Sequence, residues 1–220
     1  MTILSDKQRS SLKSELSQKL VNPVTLTVFT QEFECNYCRE TRELTAELAS
    51  LNDKIRVQVF DLLKDKEQAS TYEVDKVPAI IIEGEKRSRS KFYGVPAGYE
   101  FSTFLNDIVQ ISRGETELSP ETRKVLSTIA APVDIKVFVT PTCPYCPRMA
   151  SLAHQFAMEN DKIKADTIEV NEFPQLAIKY NVMGVPKTVI NESVEIVGMQ
   201  PEEEFVRQIK TATEPSPTYG

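Results

Sequence analysis

The 220-residue chain has one histidine, and none of its four cysteines is left over for a structural bridge. It contains no apolar run near the roughly 18 residues of a membrane span, and its N-terminal stretch, 1–20, is polar and interrupted by charge, unlike a secretory leader. These absences point to the cytoplasm, where paired cysteines are more often catalytic or metal-binding than structural. Positive charge is also short. Lys and Arg number 26 against 32 Asp and Glu, a net charge of −6, which gives no reason to expect nucleic acid or an anionic membrane as partner. The single histidine, His154, lies eight residues past Cys146, about two helical turns at 5.4 Å each. It is too far away to act as the base for that cysteine, which argues against a Cys–His protease. His154 is expected on a helix surface.

All four cysteines fall into two C-x-x-C pairs. In Thr142-Cys143-Pro144-Tyr145-Cys146-Pro147, the pair lies between a strand-like run (135–139) and a helical run (149–158). A cysteine at a helix start faces unpaired backbone N–H groups and the positive end of the macrodipole, and both favour the thiolate. The second cysteine, one turn on, is within reach to close a disulfide, so one sulfur can attack and its neighbour resolve. Pro144 is expected at the first helical position. A second copy is Cys35-Asn36-Tyr37-Cys38. A zinc site made from both pairs would need a separation of roughly 15–20 residues. Here a whole domain intervenes, so structural zinc is the weaker reading and no metal ligand is assigned. Arg39 and Arg148 are expected on solvated helix faces, Glu32 and Glu34 either near Cys35 or in water, and Tyr37 and Tyr145 on the rim of a groove.

The chain reads in order as a helix over 5–20, with Leu12, Leu16 and Leu20 on one face, and then a strand over 24–30. After the first cysteine pair come a helix with Leu44, Leu48 and Leu51, a strand with Ile55, Val57 and Val59, a short helix over 66–72, and Val77-Pro78 leading into a buried strand, 79–82. A charged turn (83–90), an edge strand (91–95) and a helix carrying Phe101, Phe104, Leu105 and Ile108 close the half. The polar stretch 113–118 reads as a linker. Ser119-Pro120-Glu121 is a strong helix start. The same order then recurs: helix 120–130, strand 135–139, Cys143/Cys146, helix, strand 163–170, short helix 172–180, Val185-Pro186, strand 187–190, edge strand 193–197 and a helix with Phe205 and Ile209. The tail, 214–220, is expected to be frayed.

This is a repeat in register. The shift is 143 − 35 = 108, 146 − 38 = 108 and 186 − 78 = 108, and Tyr72/Tyr180 and Val74/Val182 keep it. It falls to 104 after the longer first hairpin (198 − 94 and 205 − 101). Internal duplication accounts for this. Two copies of about 105 residues, each βαβ followed by a hairpin and helix, predict α/β domains with mixed sheets, over 1–114 and 115–220. The two X-Pro bonds stand at one distance from their motifs (78 − 38 = 186 − 146 = 40), and both are expected to be cis.

Cys143-Pro144-Tyr145-Cys146 resembles glutaredoxin, and the order of elements around each pair resembles the thioredoxin fold. Two such units in tandem, each led by an extra helix, resemble the protein disulfide oxidoreductases of thermophilic archaea and bacteria. The resemblance implies two thioredoxin-like domains, each a mixed sheet flanked by helices. It implies dithiol–disulfide exchange on protein substrates, covering reduction, oxidation and isomerisation. Electrons would come from a thioredoxin reductase-like flavoprotein, with no bound cofactor. Carried over, Cys35 and Cys143 attack, Cys38 and Cys146 resolve, and Pro78 and Pro186 are the family's cis-prolines. Val77 and Val185 then offer backbone to the substrate chain. The chain departs from thioredoxin in having Glu34 and Thr142, with no tryptophan anywhere, before the first cysteines. It departs from glutaredoxin in having one glycine in 197–202, so glutathione is not carried over as the dedicated reductant. Two other readings are a relay module dedicated to one partner, such as a peroxidase system, and a redox-inert metal scaffold.

Overall fold

The computed structural model describes residues 3–85 and 89–213. The middle of the charged turn and the tail expected to fray lie outside the described residues. The first half contains α1 (Asp6–Lys19), β1 (Val24–Thr30), α2 (Cys38–Leu51), β2 (Ile55–Asp61), α3 (Lys66–Tyr72), β3 (Ala79–Glu83), β4 (Ser90–Tyr93) and α4 (Tyr99–Arg113). The second half contains α5 (Pro120–Ser127), β5 (Val133–Val139), α6 (Cys146–Glu159), β6 (Ile163–Glu169), α7 (Pro174–Lys179), β7 (Lys187–Ile190), β8 (Val194–Val197) and α8 (Glu202–Thr213).

Local signals set several of these boundaries. Ser5 and Gln8 close a reciprocal capping box at α1. Ser119 accepts from the Thr122 N–H at 3.1 Å, with Pro120 opening α5. Glu73 and Asn181, 181 − 73 = 108 apart, both turn left-handed after the short helices (φ 53° and 48°), so the repeat extends to backbone conformation.

Within each half the strands pair identically. β1 runs parallel to β2 and antiparallel to β3, and β3 pairs with β4. β5 runs parallel to β6 and antiparallel to β7, and β7 pairs with β8. The strand expected at an edge after the first hairpin is not an edge. β4 also pairs in parallel with β6, Ser90 opposite Ala165 through Tyr93 opposite Ile168. The eight strands therefore form one sheet in the order β2-β1-β3-β4-β6-β5-β7-β8. All of β4 is buried, including Ser90 and Lys91, because the second half covers it. Its counterpart β8 keeps the exposed pattern of a true edge.

The period-two alternation sorts side chains to two faces. On one face, Leu26, Val28, Ile80 and Ile82 pack with Leu12, Leu16, Leu44, Leu48, Phe104 and Ile108. Ile135 and Val137 pack with Met149, Ala153, Phe156, Phe205 and Ile209. On the other face, one cluster crosses the joint, with Phe29, Ala69, Ile81 and Tyr93 beside Phe138, Ile168, Phe173 and Tyr180. The linker is anchored rather than loose. α4 ends on left-handed Gly114, Leu118 is buried in the second core, and Gln155 accepts from the Glu117 N–H at 2.7 Å.

Candidate active sites

Each cysteine pair sits where an inner strand feeds a helix, at the end of the sheet that also carries the X-Pro turn. Both pairs are closed as disulfides, each with its Cα atoms 5.5 Å apart. The second cysteine of each pair, rather than the first, opens its helix: Cys38 begins α2 and Cys146 begins α6. Pro144 therefore precedes the helix, and the proline of its first turn is Pro147. The reason is geometric. The first sulfur lies outside the turn and receives the helix's first free N–H, from Cys146 to Cys143 Sγ at 3.1 Å. Cys38 and Cys146 are 1% and 0% exposed, whereas Cys143 is 7% exposed and Cys35 half-buried. In both pairs the first cysteine is the more accessible. Cys38 Sγ accepts from the Gln31 N–H at 3.4 Å.

Val77-Pro78 and Val185-Pro186 are both cis. Val77 and Pro78 line a cleft with Cys35, and Val185 packs on the core cluster that contains Cys143 and Cys146. The prolines' carbonyls hold equivalent glycines, Gly94 N–H to Pro78 at 3.0 Å and Gly198 N–H to Pro186 at 2.8 Å. Tyr37 and Tyr145 are exposed, as rim residues should be, and Glu32, Glu34, Arg39 and Arg148 all face solvent.

The halves brace one another at these sites. Gly98, with φ +59°, brings the start of α4 so close to the Cys143 loop that a Cβ would lie 2.1 Å from the Pro141 carbonyl oxygen. The Tyr99 N–H donates to that same oxygen at 3.0 Å. In return, the segment after β6 forms the far wall of the cleft holding Cys35, and the Glu172 carboxylate accepts from the Val95 N–H at 2.7 Å.

His154 is not on a helix surface. It is 6% exposed on the inner side of α6, where its Nδ1 lies 2.6 Å from Asp107 Oδ2 of α4 and its Nε2 2.9 Å from Thr167 Oγ1 of β6. Burial works against the imidazolium, but the Asp107 carboxylate outweighs it and holds the proton more tightly than usual. Glu100, about two turns before Asp107 on α4, is 1% exposed with neither oxygen hydrogen-bonded among the described residues. Burial, with Asp107 adding and His154 opposing, pushes its pKa up to about 7. One sequence signal was available for this cluster. Glu100 and Asp107 share the apolar stripe of Phe104 and Ile108 at helical spacing, an odd place for acids.

A family model described as a thioredoxin domain matches residues 24–106 and again 133–211. A protein disulfide oxidoreductase from Aeropyrum pernix is 30% identical, covering 97% of this chain and 95% of its own, with a TM-score of 0.90. Thioredoxin of Methanocaldococcus jannaschii is 39% identical over 79 residues, 36% of this chain and 93% of that protein. An alkyl hydroperoxide reductase component of Escherichia coli is 23% identical over 96% of this chain, which spans only 38% of that protein. Two matched domains, each with a closed C-x-x-C disulfide before a helix, place the chain in the thioredoxin-domain family, as a tandem thiol–disulfide oxidoreductase of the protein disulfide oxidoreductase type.

Proposed function

We propose that both pairs turn over on protein disulfides, in domains spanning 1–114 and 115–220. Cys35 and Cys143 attack, Cys38 and Cys146 resolve, and Val77-Pro78 and Val185-Pro186 steady the substrate chain. The observation that carries this is the inequality within each pair: the first sulfur is nearer solvent, and the second is sealed inside the first turn of its helix. A thiolate at the outer position reaches a substrate sulfur. The inner thiol meets only its own partner, so it resolves the mixed disulfide. A flavoprotein of the thioredoxin reductase kind returns electrons to the oxidised form, and the cytoplasm is the setting. All four cysteines serve exchange, which suits a compartment that does not form structural bridges. Among the described residues no helix is long and apolar enough to cross a membrane.

The test is alkylation of the fully reduced protein below the free-thiol pKa of about 8.5, with the labelled sulfur mapped. Label should fall first on Cys143 and Cys35. Cys146→Ser and Cys38→Ser proteins should trap substrate covalently, and Cys143→Ser and Cys35→Ser should silence their own sites. First labelling of Cys146 or Cys38 would reverse the roles.

A second reading, a relay serving one flavoprotein–peroxidase partner, draws support from the alkyl hydroperoxide reductase relative, which aligns with nearly the whole chain. Rapid reduction of insulin-like disulfides favours the general oxidoreductase. Turnover confined to one partner favours the relay.

A further inference from the structure

The two pairs occupy equivalent places in the repeat, yet their surroundings differ in kind. Shifting by 108 carries Glu34 to Thr142, Asp75 to Met183 and Lys76 to Gly184. At these three positions the charges beside Cys35 have no counterpart beside Cys143, and Met183 is 89% and Tyr145 59% exposed. Cys35 instead lines a cleft of about 520 Å³ whose opposite wall, 171–175, belongs to the other domain.

Three acids line that cleft, Glu34, Asp75 and Glu172, against one cation, Lys76. The Lys76 ammonium is already engaged. It pairs with Asp75 and lies 3.8 Å from the centroid of the Tyr93 ring. Glu172 spends one oxygen on the Val95 N–H, and its Oε2 is buried with no hydrogen-bond partner among the described residues. Two further carboxylates face it from other elements, Glu169 at the end of β6 and Glu40 on α2. Burial, followed by these two charges, pushes the Glu172 pKa up to about 7 despite the Val95 bond. A positive group arriving here would release that proton and pair with the carboxylate left behind.

Building on the redox role of Cys35–Cys38, we propose that this pair selects an extended disulfide-bearing segment with a lysine or arginine beside its cysteine, inserted between the two domains, with Glu172 of the second domain reading the cation. Cys143–Cys146, which has the exposed Met183 where the first site has Asp75, selects disulfides with apolar neighbours. The exchange itself is ordinary. The Cys35 thiolate bonds to one substrate sulfur as the substrate S–S bond breaks and the other sulfur leaves as thiolate. Cys38 gives its proton to water and bonds to the Cys35 sulfur, the mixed disulfide breaks, and the second substrate thiolate departs. Two electrons pass from the pair to the substrate.

The test uses two full-length proteins, Cys143→Ser/Cys146→Ser and Cys35→Ser/Cys38→Ser, each kept reduced by dithiothreitol. Three oxidised peptides differ only in the residue beside the disulfide: Lys, Glu or Leu. At pH 8 and low salt, the protein retaining Cys35–Cys38 should prefer Lys over Glu by about tenfold in kcat/KM. That ratio should shrink several-fold in high salt and again below pH 6, where Glu172 is protonated. The protein retaining Cys143–Cys146 should prefer Leu and show no such dependence. Glu172→Gln, whose amide oxygen can still accept from Val95, should collapse the Lys preference through KM and remove its pH dependence. Should that variant misfold, Glu34→Gln with Asp75→Asn should weaken the same preference. Equal rates on Lys and Glu peptides, or a preference unmoved by these variants, would overturn the proposal while leaving the redox site standing. Failure of the Cys143→Ser/Cys146→Ser protein to reduce any of the three peptides would overturn both.

Discussion

The first and second domains follow one plan, but each is covered by the other at a different place. Gly94 and Gly198 show the contrast in one residue. Both follow a hairpin, both accept positive φ (112° and 81°), and both donate to the carbonyl of a cis-proline. A Cβ at Gly94 would lie 2.8 Å from the Glu169 Cβ, across the joint, whereas at Gly198 there is nothing within 4 Å. The hairpin of the first domain is built into the second, while the equivalent hairpin of the second is free. A head-to-tail join of two like units must do this. It consumes β4 and β6 and leaves β2 and β8 as edges, so identical folds acquire unlike surfaces.

The largest effect expected from breaking this comparison is chemical. Cys35→Ser with Cys143→Ser should abolish insulin-disulfide reduction, a loss of several orders of magnitude, because no outer thiolate remains. The single variants should differ from one another. Cys143→Ser is expected to cost more than Cys35→Ser, because the Cys143 pair carries the glutaredoxin-like Pro-Tyr dipeptide, whereas Cys35 lines a cleft walled by the other domain. Equal losses in a side-by-side turnover assay would make the sites functionally alike.

Next come the glycines. Gly94→Ala should destabilise by about 2–4 kcal/mol in chemical denaturation, from the left-handed backbone and the overlap with Glu169 together. Gly198→Ala should cost only about 1 kcal/mol, the backbone term alone. Similar values for both would mean that the joint between the domains is looser than its contacts indicate.

The buried acid of the joint sharpens the comparison further, since its counterpart by the 104 shift is Glu204, a surface residue paired with Arg207. The folded pKa of Glu100 is raised to about 7, above an unfolded value near 4.3. Its protonated form is therefore the one that suits the fold. That stability is fully present below about pH 4.3 and is lost as the pH rises through 7. Glu100→Gln should accordingly raise the melting temperature at pH 8, by on the order of 2 kcal/mol in stability, and change little near pH 4. An equal gain at both pH values would assign the effect to packing. The smallest effect is expected at the arginines after the resolving cysteines. Arg39→Ala and Arg148→Ala should each stay within about 0.5 kcal/mol of the parent, because both face solvent and Arg39, 73% exposed, pairs with its own helix neighbours Glu40 and Glu43.

The duplication, the cysteine pairs, the two cis-prolines and nearly every element were readable along the chain. Capping residues, helical stripes, strand alternation and a constant shift of 108 all depend on neighbours within a few residues, or on one half copying the other. Even the inequality of the paired sulfurs followed from the free N–H groups of a helix start, although Pro144 proved to lie outside the helix. Three features were not readable: the burial of β4, the place of His154 and the second wall around Cys35. Ser90-Lys91-Phe92-Tyr93 is short and half polar, like an edge strand, and His154 sits within a helical run with no mark beside it of its partner. Each owes its decisive contact to residues at least 47 positions away: the Asp107 carboxylate for His154, Ala165 through Ile168 for β4, and 171–175 for Cys35. Which sheet edge meets which is set by the summed fit of many distant side chains, and no local pattern encodes that sum.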